Sequence, residues 1–475
     1  MPASLSAATV PHPVPDNVVF VRSCRSPGAM RSPGYDHETL QSAIRSLFHD
    51  AGLGQVNSRN SLQNLISPGQ SVLLKPNWVL HFNQSGQTMD CMVTHPAVIE
   101  AVLDEVLLAK PGRILIGDAP IQLCQFDKLV PEAWRKALQQ RSAVPIEFVD
   151  FRRHCMHGSD ISQEVEVEAR PADRYVLFDL SRDSQLEPIS EPGGRFRVTS
   201  YDPKALSQTH QPGRHQYLLC REAFEADVII NLPKLKTHRK TGITGALKNL
   251  VGLNGNKDYL PHHRVGGKAL GGDCYAGIAP LKRVAEFCLD QANQRINTSG
   301  YTLWQRRAYR VLGWNRRFGD DDVEGSWHGN DTAWRMVLDL NRLLLYGCSD
   351  GSLAETPQRR VYSLTDAIIA GQGEGPLAPE PLELGVITFA ASSAFAEVVH
   401  AALLGFDYRR LPVVREAFGR FRYPLTTMDP SHLETRLNGE SIPLEALVEH
   451  FGVTARAPRG WAGHVERKRV AEVRA

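Results

Sequence analysis

Two rhythms of apolar and polar residues alternate along the first part of the chain. From Asp36 onward, Leu40, Ile44, Leu47, Phe48 and Ala51 recur at three- and four-residue steps, the spacing that gathers side chains on one face of a helix. Asp36 stands where an N-cap belongs, and Gly52 where the helix should stop. The run SVLLKPN, ended by Pro76, breaks that rhythm: it is short and continuously apolar, as a strand covered on both faces should be. A second helical pattern follows in THPAVIEAVLDEVLLAKPG, with Thr94 as the expected cap, Pro96 in the first turn and a Pro-Gly stop. RILIGDAP predicts another buried strand, so the order strand, helix, strand predicts a βαβ unit with parallel strands and a right-handed connection.

Apolar runs at 145–149 (PIEFV), at 227–231 (DVIIN) and after Leu382 (ELGVITFA) add strands of the same kind. Runs that do not alternate predict an α/β fold, an open and mostly parallel sheet with helices on both faces. Between Asp150 and Ala226 the chain turns polar and is punctuated by Pro and Gly. Alternation in EVEVEA and RFRVTSY there predicts a small antiparallel elaboration. The division expected is a first α/β half over 1–149, the elaboration over 150–226, a second α/β half over 227–460 and a flexible tail over 461–475.

Composition narrows the function classes. A chain of 475 residues, 42% hydrophobic and 22% charged, buries a substantial core and is neither disordered nor fibrous. A net charge of +2 gives no global attraction to nucleic acid or anionic membrane, so a cationic cluster has a local meaning. The eight cysteines are scattered without a CxxC pair, which argues against an iron-sulfur cluster and a zinc knuckle. With no leader-like start and no apolar run of membrane-spanning length, the expectation is a cytoplasmic protein whose partner is a small anionic ligand, not nucleic acid or membrane.

In open α/β sheets ligands gather beyond the carboxyl ends of the strands. Three polar clusters fall at such ends: Lys75-Pro76-Asn77, Gly117-Asp118-Ala119-Pro120, and Pro233 to Lys240. The last opens a stretch, Lys234 to Lys248, that holds five Lys or Arg, one His and no carboxylate. Extended backbone past Pro233 sends Lys234, Lys236, His238 and Lys240 to one side. Thr241 and Thr244 are then placed as hydroxyl caps of a helix starting near Gly245 and carrying Lys248 and Asn249. Lysines around such a start predict an anion site, although the GxxxxGK[ST] Walker loop is absent. Lys75 and Asn77 join the anion-binding set. His238 is the expected general acid or base, Asp118 or Asp366 its orienting group or an alternative base, and Lys236 a catalytic cation. The plainer alternatives are a solvated, charge-protected sheet edge and, for Asp118, a turn former.

Downstream, His262, His263, Arg264 and Asp273 lie among glycines, and Trp327, Asn330, Asp331 and Arg335 follow as substrate or supporting residues. His262, His263 and Asp273 are metal-donor types without a third firm ligand position, so no metal is assigned to them. Asp331, Arg335 and Asp339 are spaced as a salt-bridge ladder on a helix that Asn330 would cap. Residues 301–319 interleave aromatics with arginines, which fits a single-strand stacking surface but better fits an amphipathic helix with its arginines in water. DAIIAGQGEGPLAP puts Asp366 on a strand and Glu374 in a Gly-rich turn.

KPNWV, THPAVIEAVL, GDAP, DVIINLPKLKTHRKTGITGALKNLVG, PHHRVGG, GSWHGNDTAWRMVLDLNRLL and DAIIAGQGEGPL together resemble, in order, the domain of unknown function 362 family in its long form without a ferredoxin-type cysteine insert. An iron-sulfur role does not carry over. Where many relatives have Asp-Pro near the last strand, this chain has Ser392-Ser393 and Glu397. The TGxTGAxK segment is also similar to the helix start of nickel-pincer lactate racemase relatives, which implies a phosphorylated cofactor in the lysine site. The expectation is therefore an enzyme binding a phosphate- or carboxylate-bearing molecule, with isomerisation, group transfer and metal-assisted hydrolysis all open. The alternatives are a non-catalytic anion- or cofactor-binding protein and a nickel-pincer racemase-like isomerase, and a divalent metal or phosphorylated cofactor is compatible with each.

Overall fold

Among the described residues the apolar runs join an eleven-stranded sheet. The computed structural model describes residues 13–24, 34–55, 57–157, 164–166, 168–317, 319–451 and 453–467. The strands of the sheet are β1 (Val18–Ser23), β2 (Ser71–Pro76), β3 (Arg113–Asp118), β4 (Ile146–Asp150), β5 (Val228–Leu232), β6 (Lys234–His238), β7 (Gly242–Thr244), β8 (Val361–Glu374), β9 (Ala378–Ala390), β10 (Glu434–Leu437) and β11 (Glu440–Ile442). Their order is β11-β10-β1-β9-β8-β5-β2-β3-β4, with β6 beside that path on β7 and β8. From β8 through β5, β2 and β3 to β4 every pairing is parallel, and β9 inserts antiparallel between β8 and β1. This is the α/β class that unalternated apolar runs demand.

Helices α1 (His37–Asp50), α2 (Pro96–Leu108), α3 (Ala246–Asn249), α4 (Pro280–Asn293), α5 (Ser299–Asn315), α6 (Ala333–Tyr346) and α7 (Ser393–Leu403) include the elements that cover it. Val18, Phe20, Val72, Leu74, Ile114 and Ile116 enter one core with α1 and α2. The alternate residues Val19, Val21, Leu73 and Leu115 enter the other, with α6 and α7. Period-two geometry thus buries both faces of the central strands.

The 150–226 region is antiparallel. It forms a hairpin of Cys155–His157 with Glu164–Glu166 and a three-stranded sheet of Tyr175–Asp179, Arg214–Cys220 and His210–Gln211. Phe196–Arg197 pairs with His263–Arg264, tying this region to the basic half. Helix α5 is amphipathic: Tyr301, Gln305, Ala308 and Leu312 are buried, while Arg306, Arg307 and Arg310 face water. Among the described residues no helix is long and apolar enough to cross a membrane.

Three local expectations are corrected. The cap of α2 is His95, whose Nδ1 accepts from Ala97 N at 3.1 Å. Thr94 instead accepts from Asn77 N at 2.8 Å and donates to Leu232 O at 2.6 Å, stitching β2 to β5. The ladder on α6 is half formed: Asp331 pairs with Arg335 at 3.1 Å, but Asp339 pairs with Arg342 at 2.9 Å and accepts from Tyr217. A buried tyrosine and serine claim Asp339 before Arg335 can reach it. Residues 461–467, expected in a flexible tail, are folded: Trp461 and Val465 are buried, and Trp461 Nε1 donates to Arg239 O at 2.6 Å. Residues 468–475 lie outside the described residues.

Candidate functional site

Because β5, β2 and β3 are neighbours, the polar clusters at their carboxyl ends meet. Asn77, Asp118 and Lys236 border one cavity of about 1050 Å³, together with His238, Lys240, Thr244, Lys248 and Asn249 from the basic stretch. His262 and Trp327 also line it. Tyr201, Tyr301 and Tyr309 give it an aromatic wall, the last two from α5. Asp320, Asp321, Asp322, Glu324 and Glu374 line it as well, so charged groups of both signs share the cavity with aromatic and apolar side chains.

Buried amides hold the floor in place. Asn249 Nδ2 donates to Asn231 Oδ1 at 2.7 Å and to Lys75 O at 3.0 Å. Asn77 Nδ2 donates to Asn249 Oδ1 at 2.9 Å, and Asn77 Oδ1 accepts from Lys236 Nζ at 2.6 Å. The chain Asn231, Asn249, Asn77, Lys236 links β5, α3, the residue that follows β2, and β6, and it fixes the Lys236 ammonium. Such fully connected networks rigidify a site, whereas a gap in one is costly. Asp118 is an organiser of this floor: Oδ1 pairs with Lys75 Nζ at 2.7 Å, and Oδ2 accepts from Trp78 N at 2.6 Å.

Lys240 and Arg239, also on the cavity, have carboxylates within 3.6 Å, Glu324 for the first and Asp322 and Glu374 for the second. Among the described residues, no carboxylate lies in ion-pair contact with Lys236, Lys248 or Lys257, which all line the cavity. Burial pulls Lys236 down to about 7, with Lys234 adding repulsion. Burial and then Lys257 bring Lys248 to about 7. Burial brings Lys257 to about 8, against the pull of Asp118. His238 is held well below the usual imidazole range by burial and by Lys248. Its Nδ1 accepts from Lys240 N at 3.0 Å, which leaves Nε2–H as the donor of a neutral ring. His262, also on the wall, is lowered by burial and Lys240. Among the described residues, three buried polar groups along the cavity lack a hydrogen-bond partner: Thr244 Oγ1, Tyr201 Oη and the Gln122 amide.

Other predicted residues sit elsewhere. Lys234 does not share the wall of Lys236; its Nζ pairs with buried Asp366 at 2.7 Å. Asp366 also accepts from Tyr35 Oη at 2.8 Å and His95 N at 3.0 Å, so it faces away from His238. Lys75 is closed by Asp118. The start of α3 is not open to an anion: Glu397 Oε2 accepts from Ala246 N at 2.9 Å, and a Cβ on Gly245 would lie 2.1 Å from that oxygen. Thr241 donates to Ile243 O, and neither it nor Thr244 caps α3. His263 and Arg264 lie on the short strand paired with Phe196–Arg197. Asp273 gathers Arg264 N, Asp331 N and Thr332 Oγ1. Asn330 accepts from Thr332 N and Ala333 N, and Arg335 donates to Gln185 O. Among the described residues no three His, Cys, Asp or Glu side chains converge as metal donors.

Residues 182–401 match the family model described as Domain of unknown function (DUF362). The chain carries a DUF362 domain. A thylakoid-associated protein of Synechocystis sp. is 28% identical over 244 residues, which are 51% of this chain and 55% of that protein. The chain thus spans about half the length of the curated relative it matches. A crystal structure of a Thermotoga maritima protein aligns at a TM-score of 0.31 and 11% identity, covering 74% of this chain and 54% of that one, a likeness too slight to carry an argument.

The DUF362 region supplies Lys236, His238, Lys240, Thr244, Lys248, Lys257 and His262, while Asn77, Asp118 and Gln122 come from before it. Lys257, Tyr201 and Gln122 escaped the sequence reading. Gln122 lies in a turn, Tyr201 in a bend, and Lys257 opens a single 3-10 turn, so no spacing links them, and only the folded chain brings them to the cavity. Glu397 carried a signal, an acid in an apolar helix, but nothing in sequence indicates which amide it reaches.

Proposed function

We propose that this protein is a cytoplasmic enzyme that binds a phosphate- or carboxylate-bearing small molecule or cofactor in the cavity floored by Lys236, Lys248 and Lys257. The observation that carries the reading is the convergence of three cavity-facing lysines with no carboxylate in contact among the described residues. Buried cations either lose their protons or acquire a counter-ion. A ligand oxyanion supplies one, with Thr244 Oγ1 and the His238 Nε2–H as neutral donors and Lys240 at the rim. Perturbed titratable groups clustered in a cavity favour catalysis over simple storage.

A thermal-shift series with phosphate, sugar phosphates, nucleotides and carboxylates tests this. Stabilisation of about 2.7 kcal/mol is expected at roughly one hundred times the Kd, and Lys236→Ala should lose most of it. Wild-type protein indifferent to every anion would sink the reading. Native mass spectrometry and elemental analysis of protein from its own host separate a retained cofactor or metal from a released substrate.

A further inference from the structure

The lysines near the cavity differ in what holds their nitrogens. Lys75 and Lys234 are each closed by a buried aspartate. Lys236 Nζ donates to Asn77 Oδ1 and Met92 O. Lys257 Nζ donates to Ala119 O at 3.2 Å, and Lys240 Nζ lies 3.5 Å from Thr199 Oγ1 and 3.6 Å from Glu324. Lys248 differs from all of them. It is half-buried and opens on the cavity, with no hydrogen-bond acceptor and no carboxylate on its Nζ among the described residues. An ammonium held by acceptors is kept as a donor, but an amine without them has its lone pair free toward the ligand.

We propose that Lys248 is a nucleophile that forms an imine with an anionic carbonyl compound, a 2-oxo acid or a phosphorylated aldehyde or ketone. The inference rests on the anion-binding reading above, since Lys236 and Lys257 hold the acid group while Lys248 meets the neighbouring carbonyl. Its amine is substantially unprotonated near neutral pH, because burial and Lys257 bring it to about 7. Cationic neighbours activate a lysine in this way. Chemically, the nitrogen lone pair forms the C–N bond as the carbonyl π pair moves to oxygen. One N–H proton passes to that oxygen, and the second leaves with it as water when C=N forms. No oxidant or reductant is consumed. The His238 Nε2–H is a neutral donor at the same wall for the developing oxyanion.

The full chain is incubated with pyruvate, with glyceraldehyde 3-phosphate or with acetone as uncharged control, reduced with sodium cyanoborohydride, and mapped by peptide mass spectrometry. The expected result is a reduced adduct on Lys248 with an anionic probe, lower with acetone, and lower by about tenfold or more in Lys248→Arg. An adduct confined to another lysine, or labelling by acetone equal to that by pyruvate, overturns the proposal. Absence of any adduct while phosphate still stabilises the protein also overturns it, and leaves the anion site standing. Absence of both adduct and stabilisation removes the two together. Mapping on the wild-type chain decides the assignment if Lys248→Arg fails to fold.

Discussion

Lys75 and Lys236 are both fully buried, yet only Lys236 faces the cavity. The difference is Asp118, which sits across from Lys75 at 2.7 Å and takes its charge out of play. Removing one partner of a buried ion pair leaves the other uncompensated, at a cost of about 3–5 kcal/mol. Asp118→Ala should therefore lose stability of that order in urea unfolding, and an unchanged midpoint would show the pair to be dispensable. Gly252 belongs to the same device, because a Cβ there would lie 1.8 Å from Asp118 Oδ1. Lys234 repeats the pattern with Asp366. Alternation in PKLKTHRK placed Lys234 beside Lys236, but the register against β8 shifts between the two and Lys234 turns to Asp366, so the acids that cancel Lys75 and Lys234 come from other strands of the sheet.

At the scale of elements, α3 is the instructive case. A glycine before a short helix suggested an open N-terminus, yet Glu397 from α7 fills it, with His400 Nδ1 on the same oxygen at 2.9 Å. Glu397→Ala would leave the buried Ala246 amide unpaired, at about 1–3 kcal/mol. Glu397→Gln should cost less, because an amide oxygen can still accept from Ala246. Denaturant midpoints of the two variants check this, and equal losses would argue that charge, not the cap, matters. The strand and helix identities of β2, α2, β3 and β5 were legible because their apolar runs are local. The cap of α2 was missed because His95 and Thr94 are both able acceptors, and the tertiary pull of Leu232 O on Thr94 settles which one caps.

Across the whole molecule, the cavity lysines tie stability and binding to pH with opposite signs. Their pKa values of about 7, 7 and 8 in the folded chain lie below the ordinary lysine value, 10.5. Between about pH 7 and 10 the unfolded chain therefore binds more protons, and these lysines make the ligand-free protein more stable as pH rises. A bound oxyanion favours the ammonium forms, so binding takes up protons and phosphate affinity should fall as pH climbs from 7 to 9. Calorimetry in buffers of different ionisation heat measures that uptake, and proton release on binding would contradict the assignment.

What the chain's own pattern determined is local: which segments are strands or helices, that both sheet faces are covered, and that a basic, carboxylate-free stretch follows a strand end. Strand order, the acids that silence Lys75 and Lys234, the glutamate that closes α3, and the arrival of Lys257, Tyr201 and Gln122 at the cavity were decided only by tertiary structure. Periodicity reports the side of an element on which a residue lies. The group it meets there is set by contacts between residues distant in sequence, and no local spacing encodes them.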